Sequence, residues 1–172
     1  MSTEDLLELI EAVERDTLPK IRSVMERIGA DLDDEVAIDA IYGLDEPEEM
    51  PLLFFLIMKG ISVEALDIVV EHGVDPEYRD REGLGAVDVA IKYGREDILR
   101  YLDEKGVDVV DGRRRSGMTP LMLAASFNDI EIMEYLVSRG SDIGAVDNFG
   151  MSAIDYAKKL KQSKAERFLE SL

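Results

Sequence analysis

Apolar residues recur at helical spacing along most of the chain, in short segments that glycine, asparagine or aspartate interrupts. The clearest case is the segment 117–142. Pro120 suits the first turn of a helix, where its missing N–H would have no partner, and Thr119 can cap that helix with its hydroxyl. Asn128 ends this narrow helix of small residues. A second helical pattern then runs to Gly140, which allows the positive φ of a closing residue. The segment predicts a helix–turn–helix unit.

The same pattern returns with a fixed period. Two sets of glycines, one in the turns and one closing the second helices, are spaced 33 or 34 residues apart: Gly83, Gly117 and Gly150, and Gly73, Gly106 and Gly140. Two independent landmarks that keep one period indicate tandem copies of one structural unit.

The stretch Thr119-Pro120-Leu121-Met122-Leu123-Ala124 resembles the opening of the ankyrin repeat, Thr-Pro-Leu-His-x-Ala, with Met122 where the family has His. This resemblance implies an all-α ankyrin-repeat solenoid of about five helix–turn–helix units. A single domain would then span residues 1–172. Its predicted parts are a degenerate capping repeat (1–31), an acidic insert (32–49), three repeats (50–79, 80–110 and 111–146) and a basic C-terminal capping repeat (147–172).

The beginning of the chain predicts a helix pair. Residues 3–15 form an amphipathic pattern with Thr3 as the expected N-cap, and Pro19 fits the first position of the second helix. The apolar stripe of the first helix is expected to consist of Leu6, Leu7, Ile10 and Val13.

Three later segments depart from the repeat pattern. The insert is expected to hold a short helix, built on Val36, Ile38, Ile41 and Tyr42. It is either a binding loop or a solvated acidic excursion. The apolar run from Phe54 to Met58 is interpreted mainly as core. Gly85 and Ala86 replace Thr-Pro in the third unit, which predicts a weaker helix start there.

Charge is concentrated near the beginning of the chain. The formal net charge is −18, and residues 1–50 contribute −12, from 16 acidic and four basic side chains. Such a field disfavours nucleic acid and anionic membranes. It serves either solubility or attraction of a basic partner. The acidic beginning, the absence of cysteine and the lack of a long apolar run predict a soluble cytoplasmic protein.

Motifs for catalysis are missing from the sequence. It has neither a phosphate-binding loop nor a nucleophile elbow, and its single histidine, His72, is expected to have a structural or surface role. We therefore expect no enzymatic activity, no cofactor and no metal. The basic run Arg113 to Arg115 is either a solvated turn tip or an acidic-contact site.

The resemblance also implies where a partner would bind, because ankyrin arrays use a concave face of turn tips and first helices. The implied contact residues are Arg81, Glu82, Leu84, Lys92, Tyr93, Arg115, Ser116, Met118, Ser126, Phe127, Asn148, Phe149, Met151 and Lys159. Tyr93 and Phe127 occupy the same place in successive units, so we expect them side by side, about 10 Å apart.

Three functions remain open from the sequence. The leading one is a non-catalytic protein–protein interaction module that binds another protein through this concave face, without nucleic acid or membrane. The second is an acidic inhibitor, such as an antitoxin-like or immunity protein, that neutralises a basic partner. The third is a structural or chaperone-like subunit of a larger assembly. The sequence leaves the oligomeric state open, and a monomer is the expectation.

Overall fold

The computed structural model describes residues 1–29, 35–37, 49–112 and 114–172. These residues form ten helices and one two-stranded sheet, in two compact units, Met1–Tyr78 and Arg79–Leu172. The predicted all-α class is confirmed, with the small sheet as its one addition among the described residues. The single-domain organisation and the repeat boundaries stay predictions.

The first unit contains two helix pairs separated by the sheet. Its elements are α1 (Thr3–Glu14), α2 (Leu18–Ile28), β1 (Glu35–Ala37), β2 (Glu49–Pro51), α3 (Leu52–Met58) and α4 (Val63–Glu71). α2 packs against both α1 and α4. The core of this unit is formed by large apolar side chains, and the run from Leu52 to Ile57 is buried throughout, which confirms its interpretation as core.

The first helix differs from its prediction in two details. Its N-cap is Ser2, one residue earlier than expected, and the Ser2 hydroxyl accepts a hydrogen bond from the N–H of Asp5 at 3.1 Å. Leu7 was placed on the apolar stripe, but its side chain is 49% exposed while Leu9 is fully buried. The other three members of the predicted stripe, Leu6, Ile10 and Val13, are buried, so the buried face is the predicted one turned slightly away from Leu7 and toward Leu9. α2 begins at Leu18, so that Pro19 occupies its second position.

The prediction of a helix within the insert is wrong for Val36, which lies in a strand. This residue belongs to β1, which pairs antiparallel with β2 so that Val36 lies opposite Met50. A β-branched residue is well suited to a strand, and the return of the chain at Met50 supplies the hydrogen-bonding partner that local periodicity does not reveal. The other three members of the predicted helix, Ile38, Ile41 and Tyr42, lie outside the described residues.

The second unit contains three helix pairs. They are α5 (Ala86–Lys92) with α6 (Glu96–Glu104), α7 (Pro120–Phe127) with α8 (Ile130–Ser138), and α9 (Ala153–Lys159) with α10 (Ser163–Glu170). The first helices form one layer, since α7 packs against both α5 and α9, and α8 packs against α10 in the other layer. Close packing of the first layer follows from its small side chains: Ala90, Ala124, Ala125 and Ala157 are fully buried.

The start of α7 confirms its predicted capping. The Thr119 hydroxyl accepts from the N–H of Met122 at 3.3 Å, and Pro120 is the first helical residue. α5 lacks that hydroxyl, as predicted, but Asp88 compensates from within the helix. Its carboxylate accepts the N–H of Gly85 at 2.9 Å, so the helix still begins at Ala86 with a bonded N-terminus.

Candidate partner-binding surface

Each helix pair of the second unit is preceded by a tight turn that a single side chain organises. In the first and third turns this residue is an aspartate. The Oδ1 atom of Asp80 accepts the N–H groups of Glu82 and Leu84 at 2.8 and 2.9 Å. Asp147 does the same for Phe149 and Met151, both at 2.9 Å. The turns are therefore rigid, because their backbone donors are satisfied locally.

Main-chain hydrogen bonds join one turn tip to the next. The N–H of Arg115 donates to the carbonyl oxygen of Glu82, and the N–H of Asn148 donates to that of Ser116, both at 2.9 Å. The Asn148 amide also donates to the Arg115 carbonyl at 2.8 Å. A Cβ at Gly117 would lie 2.8 Å from the Asn148 side chain, so only glycine fits this approach. The three tips thus form one continuous edge.

The middle turn uses a different anchor. Arg114 stands where the neighbouring turns have aspartate, and its Nε donates to Oδ1 of Asp88 at 2.7 Å. Asp88 is 3% exposed, so this is a mostly buried ion pair between the middle turn and α5. Of the two interpretations of the basic run, the acidic contact holds for Arg114, with Asp88 of α5 as its partner. Arg115 is exposed, and Arg113 lies outside the described residues.

The first helices contribute a second row, at their C-terminal ends. Tyr93, Phe127 and Leu160 are 43%, 47% and 48% exposed. Each immediately precedes a residue with positive φ, at Gly94, Asn128 and Lys161. The residue with positive φ therefore stands at the same register in all three units, and the chain turns away from these side chains there.

Leu160 is a member of this row that sequence reasoning missed. The resemblance pointed instead to its neighbour Lys159, an exposed residue whose Nζ lies 3.8 Å from Sδ of Met151. The register of Tyr93 and Phe127, each just before the residue that ends its helix, was the signal that could have identified Leu160. The contact of Lys159 with Met151 links the helix ends to the turns.

All fourteen implied contact residues fall in the second unit, and none is buried. The most exposed aromatic is Phe149, at 78%. Ser126 is the least available for binding, because its hydroxyl donates to the Met122 carbonyl at 2.8 Å and its own carbonyl accepts from Gln162 at 2.7 Å. We call the turn tips and the helix ends together the tip surface. Its exposed large apolar side chains are Tyr93, Phe127, Phe149 and Leu160.

A polar cluster in the second helices also escaped sequence reasoning. The Tyr135 hydroxyl donates to Asp103, whose carboxylate also accepts from Arg139 at 2.6 Å, and Arg100 lies 4.2 Å from the Tyr135 ring centroid. Burial, followed by the hydrogen bond to Asp103, raises the pKa of Tyr135 to about 12. The hydrogen bonds from Tyr135 and Arg139 lower the pKa of Asp103. The cluster joins α6 to α8 and is structural.

The described part of the chain shows neither a metal-binding cluster nor a membrane-spanning helix. No three His, Asp or Glu side chains there are grouped to hold a metal ion. No helix there is long and apolar enough to cross a membrane. His72 lies at the C-terminal end of α4, where its Nδ1 is 2.7 Å from the Ile68 carbonyl oxygen.

Repeated helix pairs joined by hydrogen-bonded turns define a helical repeat protein. A family model described as ankyrin repeats (many copies) matches residues 110–157. The chain is 31% identical over 113 residues to Alpha-latrocrustotoxin-Lt1a from Latrodectus tredecimguttatus, covering 66% of this chain and 8% of that protein. It is 33% identical over 92 residues to the B-cell lymphoma 3 protein homolog from Mus musculus, covering 54% of this chain and 20% of that one.

A third relative, a putative ankyrin repeat protein from Fowlpox virus, is 41% identical over 83 residues, which is 47% of this chain and 24% of the viral protein. The chain thus spans less than a quarter of the length of each of these relatives. The matched residues 110–157 are ankyrin repeats. Ankyrin repeats are a non-catalytic fold whose members generally serve as protein–protein interaction modules.

Proposed function

We propose that this protein is a non-catalytic interaction module that binds another protein through the tip surface. The observation that carries the proposal is the exposure of Tyr93, Phe127 and Phe149 on backbone that intramolecular hydrogen bonds hold in place. Large rings that are exposed and already ordered lose little conformational entropy on binding. They also supply the apolar area from which interface hot spots are built.

The charges around these rings suit a mixed polar and apolar partner. Arg81 and Arg115 lie on adjacent tips, and Lys92 sits 5.6 Å from the centroid of the Tyr93 ring. Aromatic side chains with arginine nearby are the composition enriched in protein interfaces. The tip surface of the second unit is therefore an interface without strong acidic character, which favours recognition by shape and apolar contact.

A second candidate function rests on the first unit. Residues 1–78 carry 21 acidic and five basic side chains, a formal net charge of −16. An acidic inhibitor of a basic protein would use such a field to accelerate association, and its binding would weaken as salt screens the attraction. The third function, a structural or chaperone-like subunit, has no comparable observation in its favour and stays a hypothesis.

The test is a comparison of three baits that retain the full chain. The first is the unaltered protein, the second carries Tyr93→Ala with Phe127→Ala, and the third carries Leu7→Ala. Leu7 is an exposed apolar side chain in the first unit, so it controls for the loss of exposed apolar area alone. A partner retained by the unaltered bait is then purified, and its affinity for each variant is measured by calorimetry at low and high salt.

We expect the double variant to weaken binding at least 100-fold, because hot-spot truncations each cost about 2 kcal/mol or more. The Leu7 variant should bind like the unaltered protein. Equal binding by all three baits would refute the tip surface as the site. If affinity fell steeply with salt and was the same for the unaltered protein and the double variant, the acidic-inhibitor function would replace the leading one.

A further inference from the structure

The closing turns of the repeats differ at one buried position. Three second helices, α4, α6 and α8, are each followed by a glycine and then by a buried residue, which is Val74 in the first unit and Val107 and Ser141 in the second. These side chains are 7%, 5% and 8% exposed. A small hydroxyl therefore occupies, in the last closing turn, the place that valine fills in the two earlier ones.

A cavity of about 250 Å³ lies beside Ser141 in the second unit. Its walls come from the two loops that follow α6 and α8: Val110, Asp111, Thr119, Gly140, Ser141, Asp142 and Ala145. The Ser141 hydroxyl is buried and has no hydrogen-bond partner among the described residues. Buried hydroxyls in native proteins are nearly always bonded, so this atom points to a polar group that the cavity receives.

The lining selects the chemistry of that group. Two carboxylates, those of Asp111 and Asp142, lie on the wall and disfavour an anion. The described residues offer no group of three acidic or histidine side chains for a metal ion. Val110 and Ala145 add apolar wall, which suits a hydrocarbon stem. A primary ammonium on a short alkyl chain matches all of these features, because it is cationic and carries three donors.

We propose that this cavity, which we call the Ser141 pocket, is a binding site for the side chain of a lysine from the bound protein. The stem lies against Val110 and Ala145, and the ammonium donates to the Ser141 hydroxyl oxygen and to the carboxylate of Asp142. One oxygen of Asp142 already accepts the N–H of Gly144 at 2.9 Å, which orients the carboxylate. The inference rests on the proposed function, in that the lysine belongs to the partner.

The test uses n-butylammonium chloride as the probe, with the full chain observed by ¹H–¹⁵N NMR at constant ionic strength. 1-Butanol is the uncharged probe of similar size. Ser141→Val is the central variant. It fills the pocket with the residue that the other closing turns already hold, so the fold should tolerate it. Asp142→Asn removes the charge and keeps an acceptor for Gly144.

We expect saturable shifts at the amides of residues 140–145 with butylammonium, with a dissociation constant on the order of millimolar for so small a probe. Butanol should produce none. Ser141→Val should abolish the shifts, and Asp142→Asn should weaken binding at least fivefold. Equal responses to both probes, an unchanged response in Ser141→Val, or no shifts at all would overturn the proposal.

This experiment needs no partner, so its failure is separable from that of the proposed function. If butylammonium does not bind but the partner still depends on Tyr93 and Phe127, only the lysine pocket falls. If butylammonium binds and Ser141→Val leaves partner affinity unchanged, the pocket takes free amines rather than the partner's lysine, and the proposal is overturned in that form.

Discussion

The two compact units of this protein are built from the same kind of helix pair but distribute charge very differently. Residues 1–78 carry a net charge of −16, whereas residues 79–172, with 17 acidic and 15 basic side chains, carry only −2. The large exposed aromatics Tyr93, Phe127 and Phe149 all lie in the nearly neutral unit. Long-range electrostatic attraction and apolar contact are therefore assigned to different parts of the chain, so each can be altered while the other stays intact.

The packing of the first helices differs as well. In the first unit α3 is apolar on every side, and six consecutive side chains from Leu52 to Ile57 are buried. In the second unit α7 buries Ala124 and Ala125 completely, so its neighbours approach its backbone. The first helix α3 thus contributes mainly large side chains to its core, whereas α7 also allows close helix contact beside hydrogen-bonded turns. The following substitutions separate these sources of stability.

The largest effect is expected from Phe55→Ala in α3. Phe55 is fully buried, and removing its ring leaves a cavity that the core cannot fill, which should lower the free energy of unfolding by about 4 kcal/mol. Urea unfolding followed by circular dichroism measures this. Leu7→Ala, at an exposed position, is the control and should cost less than about 0.5 kcal/mol. Similar losses for both would contradict a large-side-chain core in the first unit.

Asp88→Ala should be nearly as damaging in the second unit. It leaves the Arg114 side chain, which is only 24% exposed, without its buried partner, and it removes the acceptor of the Gly85 N–H. Breaking such a pair costs about 3 kcal/mol. The first unit supplies the contrasting case, because the Arg22–Glu71 pair at 3.4 Å is half exposed. Arg22→Ala should cost less than about 1 kcal/mol.

Asp88→Asn distinguishes the two contributions of that carboxylate. The amide can still accept the Gly85 N–H through its oxygen but no longer offers a charge to Arg114. We expect its unfolding free energy, measured in the same urea experiment, to fall between those of Asp88→Ala and the unaltered protein. A variant as stable as the unaltered protein would show that the ion pair contributes nothing.

Two glycines with positive φ provide a matched pair of intermediate effect. Gly117 (φ +80°) belongs to the second unit, where an added Cβ would meet Asn148 at 2.8 Å, while Gly73 (φ +106°) in the first unit has open space around it. Gly73→Ala should cost about 1 kcal/mol from backbone strain alone. Gly117→Ala should cost about 2–3 kcal/mol, because it also separates the turn tips. Thermal unfolding compares them, and equal losses would mean that the tips do not constrain one another.

The smallest effect concerns alkaline pH. The folded state raises the pKa of Tyr135 to about 12, chiefly through burial, and raises the pKa of Tyr156 to about 12 in the same way, with Asp147 as the hydrogen-bond acceptor. A raised folded-state pKa stabilises the protein below the unfolded value near 10, and this contribution is lost as the pH rises through 12. The urea concentration at the midpoint of unfolding should therefore decrease as the pH is raised from 10 to 12.

Tyr135→Phe should reduce that pH dependence, since one of the two late-titrating phenols is removed. Absorbance at the phenolate band gives an independent measurement, in which the ionisation of Tyr135 and Tyr156 should extend above pH 10 in the unaltered protein. A titration that is complete near pH 10 would contradict the buried hydrogen bonds of Tyr135 and Tyr156 to their aspartates.

Much of the repeat architecture could be predicted because its determinants are local. Thr119 and Pro120 specify a helix start through one hydroxyl and one missing N–H, and Gly140 specifies a helix end through its φ. Each of these residues acts within a few positions of itself, and the period of 33 or 34 residues then places the copies after the insert. Local errors were shifts of one residue, such as the N-cap at Ser2, whereas larger failures occurred where partners are distant in sequence.

Val36 illustrates such a failure, because its strand depends on Met50, fourteen residues later along the chain. Leu7 is a second case, since only the packing of α2 against α1 decides which face of an apolar helix is buried. The candidate surface divides in the same way. The repeat period predicted the equivalent positions of Tyr93 and Phe127. The rigid arrangement of the turn tips depends instead on hydrogen bonds between successive turns.

The sequence by itself thus determined the resemblance to ankyrin repeats, the helix pairs, their period and the concentration of acidic charge before residue 79. Tertiary structure alone decided that Arg114 is anchored to Asp88, that Tyr135 bonds to Asp103, and that Ser141 lines a pocket. The physical reason is one of range. Capping, turn conformation and periodicity arise from neighbours along the chain, whereas ion pairs, buried hydroxyls and cavities arise between side chains that only folding brings into contact.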